Sequence, residues 1–173
     1  MSRYFPHTSY AEDQPLFRTI LTVHVLARGY TTGAVVGLGA VSAATAYNFI
    51  QGVKPADTLR RALRTTGTAS VVGTGLMGLA LAGRMWGREE IEWRDRSWRL
   101  LENPGQVEVD EWTAGGVAIG LAAATGMRGG GWRAGAGAVG IGSVAGTLAY
   151  MVWRYGVHAG KFPAYVGVNE AEL

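Results

Sequence analysis

The chain has 173 residues, of which 48% are hydrophobic, 17% are charged and 27 are glycine, with a net charge of +3 and no cysteine. This length corresponds to one domain, and an average soluble protein would carry roughly 25% charged residues and about 7% glycine. A sequence without cysteine excludes disulfide bonds and cysteine-ligated zinc or iron–sulfur sites within it.

Residues 1–28 form a polar N-terminal segment. It contains Glu12 and Asp13 and shows neither the apolar core of a secretory signal peptide nor the acid-poor composition of a transit peptide. This composition favours delivery to a membrane by internal signals. Within it, LFRTILTVHVLAR (16–28) predicts an amphipathic helix lying on the membrane before the first span.

Four stretches without Asp, Glu, Lys or Arg follow, and they predict transmembrane helices. A helix of about 20 apolar residues, with roughly 17–25 tolerated, crosses a hydrocarbon core ~30 Å thick. The third stretch is slightly short, but Trp112 and the long side chains of Glu111 and Arg128 could extend it to the membrane interfaces. The predicted spans are 29–53, 65–83, 112–127 and 134–153, within a membrane domain at 29–155 that precedes a tail at 156–173.

The second stretch contains SVVGTGLMGLALAG (70–83), which has the glycine spacing of a dinucleotide-binding fingerprint at Gly73, Gly75 and Gly78. That fingerprint must follow a strand, open a helix and be trailed by an acidic residue about 20 positions on. Here the glycines lie inside an apolar stretch, and the same spacing recurs in another stretch at 135–140. We therefore interpret the match as chance in a glycine-rich chain.

Small residues at four-residue intervals give the glycines a different meaning. Residues four apart share one helical face, and a face without side chains lets two helix backbones approach closely in lipid. The sequence thus predicts a tight all-α bundle of four transmembrane helices, although a merely glycine-biased composition would give a similar pattern. The expected packing positions are Gly29, Gly33, Gly37, Gly78, Gly116, Gly120, Gly142 and Gly146, continued by Thr66, Ser70, Thr74, Ala82 and Ala138.

A charge-rich loop, WGREEIEWRDRSWRLLENPG (86–105), lies between spans two and three and predicts a peripheral helix ended by Asn103-Pro104-Gly105. Acids precede arginines by four positions, an order that stabilises a solvent-exposed helix. The helix is equally well interpreted as a solvated surface or as a partner surface formed by Trp86, Trp93 and Trp98. The expected pairs are Glu90–Arg94, Glu92–Arg96 and Asp95–Arg99.

No catalytic, cofactor-binding or metal-binding constellation is apparent in the sequence. His7, His24 and His158 lack a second ligand at metal-binding spacing, so we interpret them as structural or surface residues. The four predicted spans contain no Asp, Glu, Lys or Arg, which argues against a proton or ion path.

Basic residues cluster in the loops after spans one and three, which predicts that these loops face the positive-inside side. Both termini and the more acidic loop at 84–111 would then lie on the opposite side. Basic side chains at a membrane surface also attract anionic head groups. The expected lipid contacts are Lys54, Arg60, Arg61, Arg64, Arg128 and Arg133.

Four short glycine-rich spans, a basic first loop and GGVAIG (115–120) resemble the pore family of the mitochondrial inner-membrane preprotein translocase, over roughly residues 28–155. The signature of that family runs Arg-x3-Asp-x6-small-Gly-x3-Gly. Its end matches Gly115, Gly116 and Gly120, whereas Glu108 and Pro104 replace the acidic and basic positions. These departures are closer to a relative with the same fold, the four-helix accessory subunit of respiratory complex I, in a longer, fungal-type form.

The resemblance implies a non-catalytic subunit in the mitochondrial inner membrane that stabilises the membrane arm of complex I, with both termini in the intermembrane space. Its partners would be membrane-arm subunits and phospholipids such as cardiolipin, with no nucleic acid, small-molecule substrate or other cofactor. A preprotein translocase subunit is the alternative, followed by a small-solute channel or a scaffold of another membrane complex.

Overall fold

The computed structural model describes residues 4–53, 57–127 and 129–162. In this part of the chain every regular element is helical, as the sequence predicts. A short 3-10 turn at Ala11–Asp13 precedes the first long helix, and a π-helical turn at Val152–Val157 continues the last one. The α-helices are α1 (Phe17–Ile50), α2 (Thr58–Met85), α3 (Glu90–Glu102), α4 (Pro104–Gly126) and α5 (Gly131–Met151).

Within the residues that the structure describes, three helical segments are long and apolar enough to cross a membrane: Phe17–Ile50, Thr58–Met85 and Gly131–Val157. They correspond to the first, second and fourth predicted spans. Helix α4 is not among them, because Glu108, Asp110 and Glu111 occupy its N-terminal half and leave only a short apolar stretch after them. For the described residues, the all-helical fold with three helices long and apolar enough to span a membrane is confirmed, and the third predicted span stays a prediction.

The first helix differs from the expected arrangement. Residues 17–28 do not form a separate surface helix, because they continue without a break into the first predicted span. Nothing between Phe17 and Ile50 interrupts helical geometry, and the glycines at the junction are held against α2. The predicted amphipathic helix is therefore the N-terminal part of α1.

The long helices follow one another in space in the order α1, α2, α5 and α4, and α1 also contacts α5, where the Tyr30 hydroxyl donates to the carbonyl oxygen of Ala136 at 2.6 Å. Helices α1 and α2 pack as one antiparallel pair, α4 and α5 pack as a second, and the contact between α2 and α5 joins the two pairs. Helices α1 and α4 lie at the two ends of this order and leave a groove between them. Helix α3 packs across one end of this groove, against α1 and α4.

The distribution of side chains is the reverse of that in a soluble protein. The largest fully buried side chains are polar, and four of the five are Ser or Thr: Gln14, Thr66, Ser70, Ser97 and Ser143. Large apolar side chains instead face outward, with Phe49 83% exposed and Leu79 and Ile119 each 73% exposed. Small residues inside and apolar residues outside are the pattern of helices that pack in lipid.

Helix α3 confirms the predicted peripheral helix and its end before Asn103. Of the expected ion pairs, Glu92–Arg96 is wrong. Glu92 instead pairs with Arg88 at 3.2 Å, because its carboxylate also accepts from the backbone of Glu89 in a capping box at the start of the helix. The other two pairs form as expected: Glu90–Arg94 at 2.6 Å and Asp95–Arg99 at 2.9 Å.

Candidate functional site

The glycines of α1 lie directly against the backbone of α2. A Cβ added at Gly29, Gly33 or Gly37 would come closer than 3.0 Å to atoms of α2, and at each position a backbone atom is among them. Real Cβ atoms essentially never approach other atoms so closely, so a side chain at these positions would force the helices apart. In contrast, Gly39 on the same helix has nothing within 4 Å of the added atom.

The contact between α4 and α5 also depends on glycines that lie against backbone, and here both helices contribute them. Added Cβ atoms on α4 at Gly116 and Gly120 would overlap the backbone of α5, and those at Gly142 and Gly146 would overlap the backbone of α4. Gly115, one position away on α4, faces open space. The two helices therefore meet at the distance that only glycine permits.

Two further glycines, at positions that the four-residue interval does not predict, close the central contact between α2 and α5. A Cβ at Gly137 would lie 2.6 Å from the carbonyl carbon of Leu63, and one at Gly67 would lie 2.7 Å from the amide nitrogen of Gly137. Gly67 lies beside the four-residue stripe of α2 rather than on it. Gly78, which is on that stripe, meets only the end of the Leu26 side chain, at 3.2 Å.

Asp110 of α4 is the centre of a polar cluster that links α4 to α1. Its carboxylate accepts a hydrogen bond from Arg28 at 2.5 Å and lies 3.0 Å from Nδ1 of His24. Gln106 Nε2, one turn earlier on α4, donates to the same carboxylate at 3.2 Å. The Asp110 side chain keeps only 12% of its exposure, so the cluster is a largely buried interhelical attachment.

Glu108 makes the second interhelical ion pair of α4, with Arg154 in the π-helical turn after α5. The guanidinium group is 3% exposed, stacks on the ring of Phe162 at 4.2 Å and also donates to the carbonyl oxygen of Lys161. Residues two apart on a helix point about 200° apart around its axis. Glu108 and Asp110 therefore attach α4 to α5 and to α1 on opposite sides.

These ion pairs could not be found by sequence spacing. Asp110 lies 82 positions from Arg28 and 86 from His24, whereas helical spacing relates charges only within neighbouring turns of one helix. His24 is a structural residue, as one of the two expected interpretations had it, but its contact with Asp110 was not expected. The available signal was the placement of three acids at the start of an otherwise apolar helix, where unpaired charge is costly.

The groove between α1 and α4 has a volume of about 390 Å³. The α1 wall includes Tyr30 and the α4 wall includes Val117, while Thr74 of α2 and Val139 of α5 lie between the two walls. The Arg28–Asp110 pair bridges the walls at the end nearer α3. The groove is thus mainly apolar, with a neutralised charge pair at one end.

The expected lipid contacts fall at the opposite end of the bundle, as far as they are described. The contacts of Leu63 and Gly67 with α5 place the first turns of α2 beside the first turns of α5. Arg133, which stacks on Trp132, is exposed there. Arg60, Arg61 and Arg64 are exposed on the first turns of α2, and Lys54 and Arg128 lie outside the described residues.

The three tryptophans of the expected partner surface have different environments. Trp98 donates from its indole nitrogen to the carbonyl oxygen of Thr8 at 2.8 Å and stacks on His7, so it holds the N-terminal segment on α3. Trp93 lies beneath the guanidinium of Arg18, 5.8 Å from the ring centre. Trp86 is 85% exposed. Only Trp86 of the three is fully available to lipid or to another protein.

The fold and these contacts define the class of protein: in its described part the chain is all-helical, has three helices long and apolar enough to span a membrane, and is held together by glycine contacts and interhelical ion pairs. Among the described residues, no group of three His, Asp or Glu side chains is placed to hold a metal ion. Comparison with protein-family models, curated proteins and solved structures found no match to this chain. The resemblance to the translocase fold and to complex I therefore stays a prediction.

Proposed function

We propose that this chain is a non-catalytic accessory subunit of respiratory complex I in the mitochondrial inner membrane, where it stabilises assembly of the membrane arm. The observation that carries the proposal is the packing, in which glycine backbones hold the helices together while Phe49, Leu79 and Ile119 face outward. An apolar outer surface of this kind suits contacts with lipid and with neighbouring membrane subunits. The resemblance at 115–120 supplies the identity of the complex.

In this proposal α4 also crosses the membrane, as the third of the four predicted spans. Charged side chains are costly inside a membrane unless they are paired, and Glu108 and Asp110 both bind arginines of neighbouring helices. A carboxylate held by an arginine contributes to helix attachment, which supports a structural role over a proton relay. Trp112 and Trp153, with ring centres 6.1 Å apart, lie near the same end of the bundle, as expected of side chains at a membrane interface.

We further propose that the first turns of α2 and α5 face the matrix, and that α3 and both termini face the intermembrane space. The basic residues Arg60, Arg61, Arg64 and Arg133 favour this orientation, because positively charged segments are retained on the inner side. In the same arrangement these side chains would contact anionic head groups such as cardiolipin at the matrix surface.

Single introduced cysteines test this orientation, since the chain has none of its own. Leu59 (71% exposed) and Arg99 (side chain 73% exposed) lie at opposite ends of the bundle. In mitoplasts with an intact inner membrane, a membrane-impermeant maleimide should label Arg99→Cys and reach Leu59→Cys only after detergent is added. The opposite pattern would show that the orientation is inverted.

Deletion of the chain tests the function. We expect assembled complex I and NADH:quinone turnover to fall in the same proportion, because a structural subunit acts through assembly. Turnover per assembled complex should remain nearly unchanged. A normal amount of complex with a reduced turnover per complex would contradict the proposal, since it would indicate a direct part in the reaction.

The alternative, a preprotein translocase subunit, is favoured by the groove between α1 and α4. A polypeptide crossing a membrane needs a path that shields its polar backbone, and a groove with Tyr30, Thr31, Thr74 and Thr113 along its lining would offer hydrogen-bonding groups. This alternative predicts that a matrix-targeted reporter accumulates outside the matrix in the deletion strain. An import defect that appears while complex I is still assembled would favour it.

A further inference from the structure

A second groove lies on the outer surface between α1 and α2, at the end of the bundle that carries α3. It has a volume of about 300 Å³, with Leu21 and Val25 of α1 and Met77 and Leu81 of α2 in its walls. Its origin is steric. Gly29 is the last glycine of α1 that meets α2, and before it the larger side chain of Leu26 lies between the helices, 3.2 Å from a Cβ added at Gly78.

Two arginines lie at the mouth of this groove. Arg84 is in the last turn of α2 and Arg96 is on α3, and both side chains contribute to the lining. Neither has an acidic partner within the described part of the chain. The neighbouring arginines of this region are each neutralised, in the pairs Arg88–Glu92, Arg94–Glu90 and Arg99–Asp95.

The position of Arg84 and Arg96 along the membrane normal fits the boundary between lipid acyl chains and head groups. Both α1 and α2 are apolar enough to cross a membrane, and Arg84 is where the apolar part of α2 ends. Trp86, two residues later, is 85% exposed, and exposed tryptophan is typical of the membrane–water interface. An apolar groove in the acyl region that opens on two unneutralised guanidinium groups is complementary to an anionic lipid.

We propose that Arg84 and Arg96 bind the phosphate of an anionic phospholipid whose acyl chain lies in the groove between α1 and α2. Guanidinium groups form paired, charge-assisted hydrogen bonds with phosphate oxygens. The site is on the opposite face of the membrane from the basic cluster of α2 and α5. It depends on membrane insertion of α1 and α2 and is independent of the complex to which the chain belongs.

Photochemical labelling tests the site on the full-length chain reconstituted in phosphatidylcholine bilayers. Phosphatidylglycerol and phosphatidylcholine probes with the same diazirine-bearing acyl chain are added in trace amounts, and labelled peptides are located by mass spectrometry. We expect phosphatidylglycerol to label residues 77–85 roughly tenfold more than phosphatidylcholine does, because each arginine near the surface attracts an anionic lipid appreciably. The variant R84Q/R96Q should lose this preference.

Two control variants locate the effect. R99Q removes an arginine that lies on α3, like Arg96, but that is already paired with Asp95. R60Q/R61Q/R64Q removes the basic cluster at the other end of the bundle. Both variants should keep the preference for phosphatidylglycerol at 77–85. Unchanged labelling of this segment by phosphatidylcholine in R84Q/R96Q would show that the groove is intact. Equal labelling by the two probes in the unmodified chain, or an undiminished preference in R84Q/R96Q, would overturn the proposal.

Discussion

Replacing Gly137 with leucine is expected to separate α2 from α5 and to abolish the folded bundle. The added side chain would meet the backbone of Leu63, which cannot move aside as a flexible side chain can. Overpacking in a well-packed interior typically costs roughly 1–3 kcal/mol, and a clash with backbone exceeds the usual case. The measurement is the fraction of the purified chain that elutes as a single species in mild detergent, together with its unfolding temperature.

A glycine in open space provides the matched control. Gly39 of α1 has no atom within 4 Å of an added Cβ, so Gly39→Leu should leave the bundle intact. The two alanine variants should change the stability of the protein in opposite directions. Gly137→Ala should destabilise the protein, whereas Gly39→Ala should stabilise it by up to about 1 kcal/mol because alanine favours the helix. Equal stability of all four variants would contradict the glycine-packed bundle.

Replacing Glu108 with alanine is expected to give the second large loss of stability. It would leave the guanidinium of Arg154 buried, at 3% exposure, without its carboxylate. Removing one partner of a buried ion pair is strongly destabilising, and the loss is moderated here because the Glu108 side chain keeps 28% exposure. Thermal unfolding in detergent at constant salt measures the effect.

The double variant Glu108→Gln/Arg154→Met should recover most of this loss, because it removes the buried charge together with its partner. Asp95→Ala breaks an exposed pair on α3 and should change stability by less than about 1 kcal/mol. If Glu108→Ala proves no more destabilising than Asp95→Ala, the pair does not anchor α4 to α5.

The positions of the helices and the faces on which they pack most closely follow from local sequence patterns, whereas the choice of partner helix does not. Small residues recur at every fourth position around Gly33 on α1 and around Gly116 on α4. This interval alone indicates which face of each helix meets another helix. The contact between α2 and α5 does not follow, because α2 packs on two sides and Gly67 lies off its four-residue stripe. A helix with two neighbours needs two small faces, and a search for one stripe finds only one.

The polar contacts of α4 are even less accessible to sequence reasoning. Nothing local indicates that Asp110 meets Arg28, because the two helices are brought together by the packing of α2 and α5 between them. The start of α4 at Pro104 was also missed, since the absence of charge was used to define the spans. A helix extends past the charged residues that bound an apolar stretch when those charges are paired.

The most direct test of the proposed function is native electrophoresis of gently solubilised mitochondria, followed by detection of this chain. The account predicts that the chain migrates with the large complex that shows NADH dehydrogenase activity in the gel. A chain that migrates with the preprotein translocase, or with neither complex, would contradict the assignment to complex I.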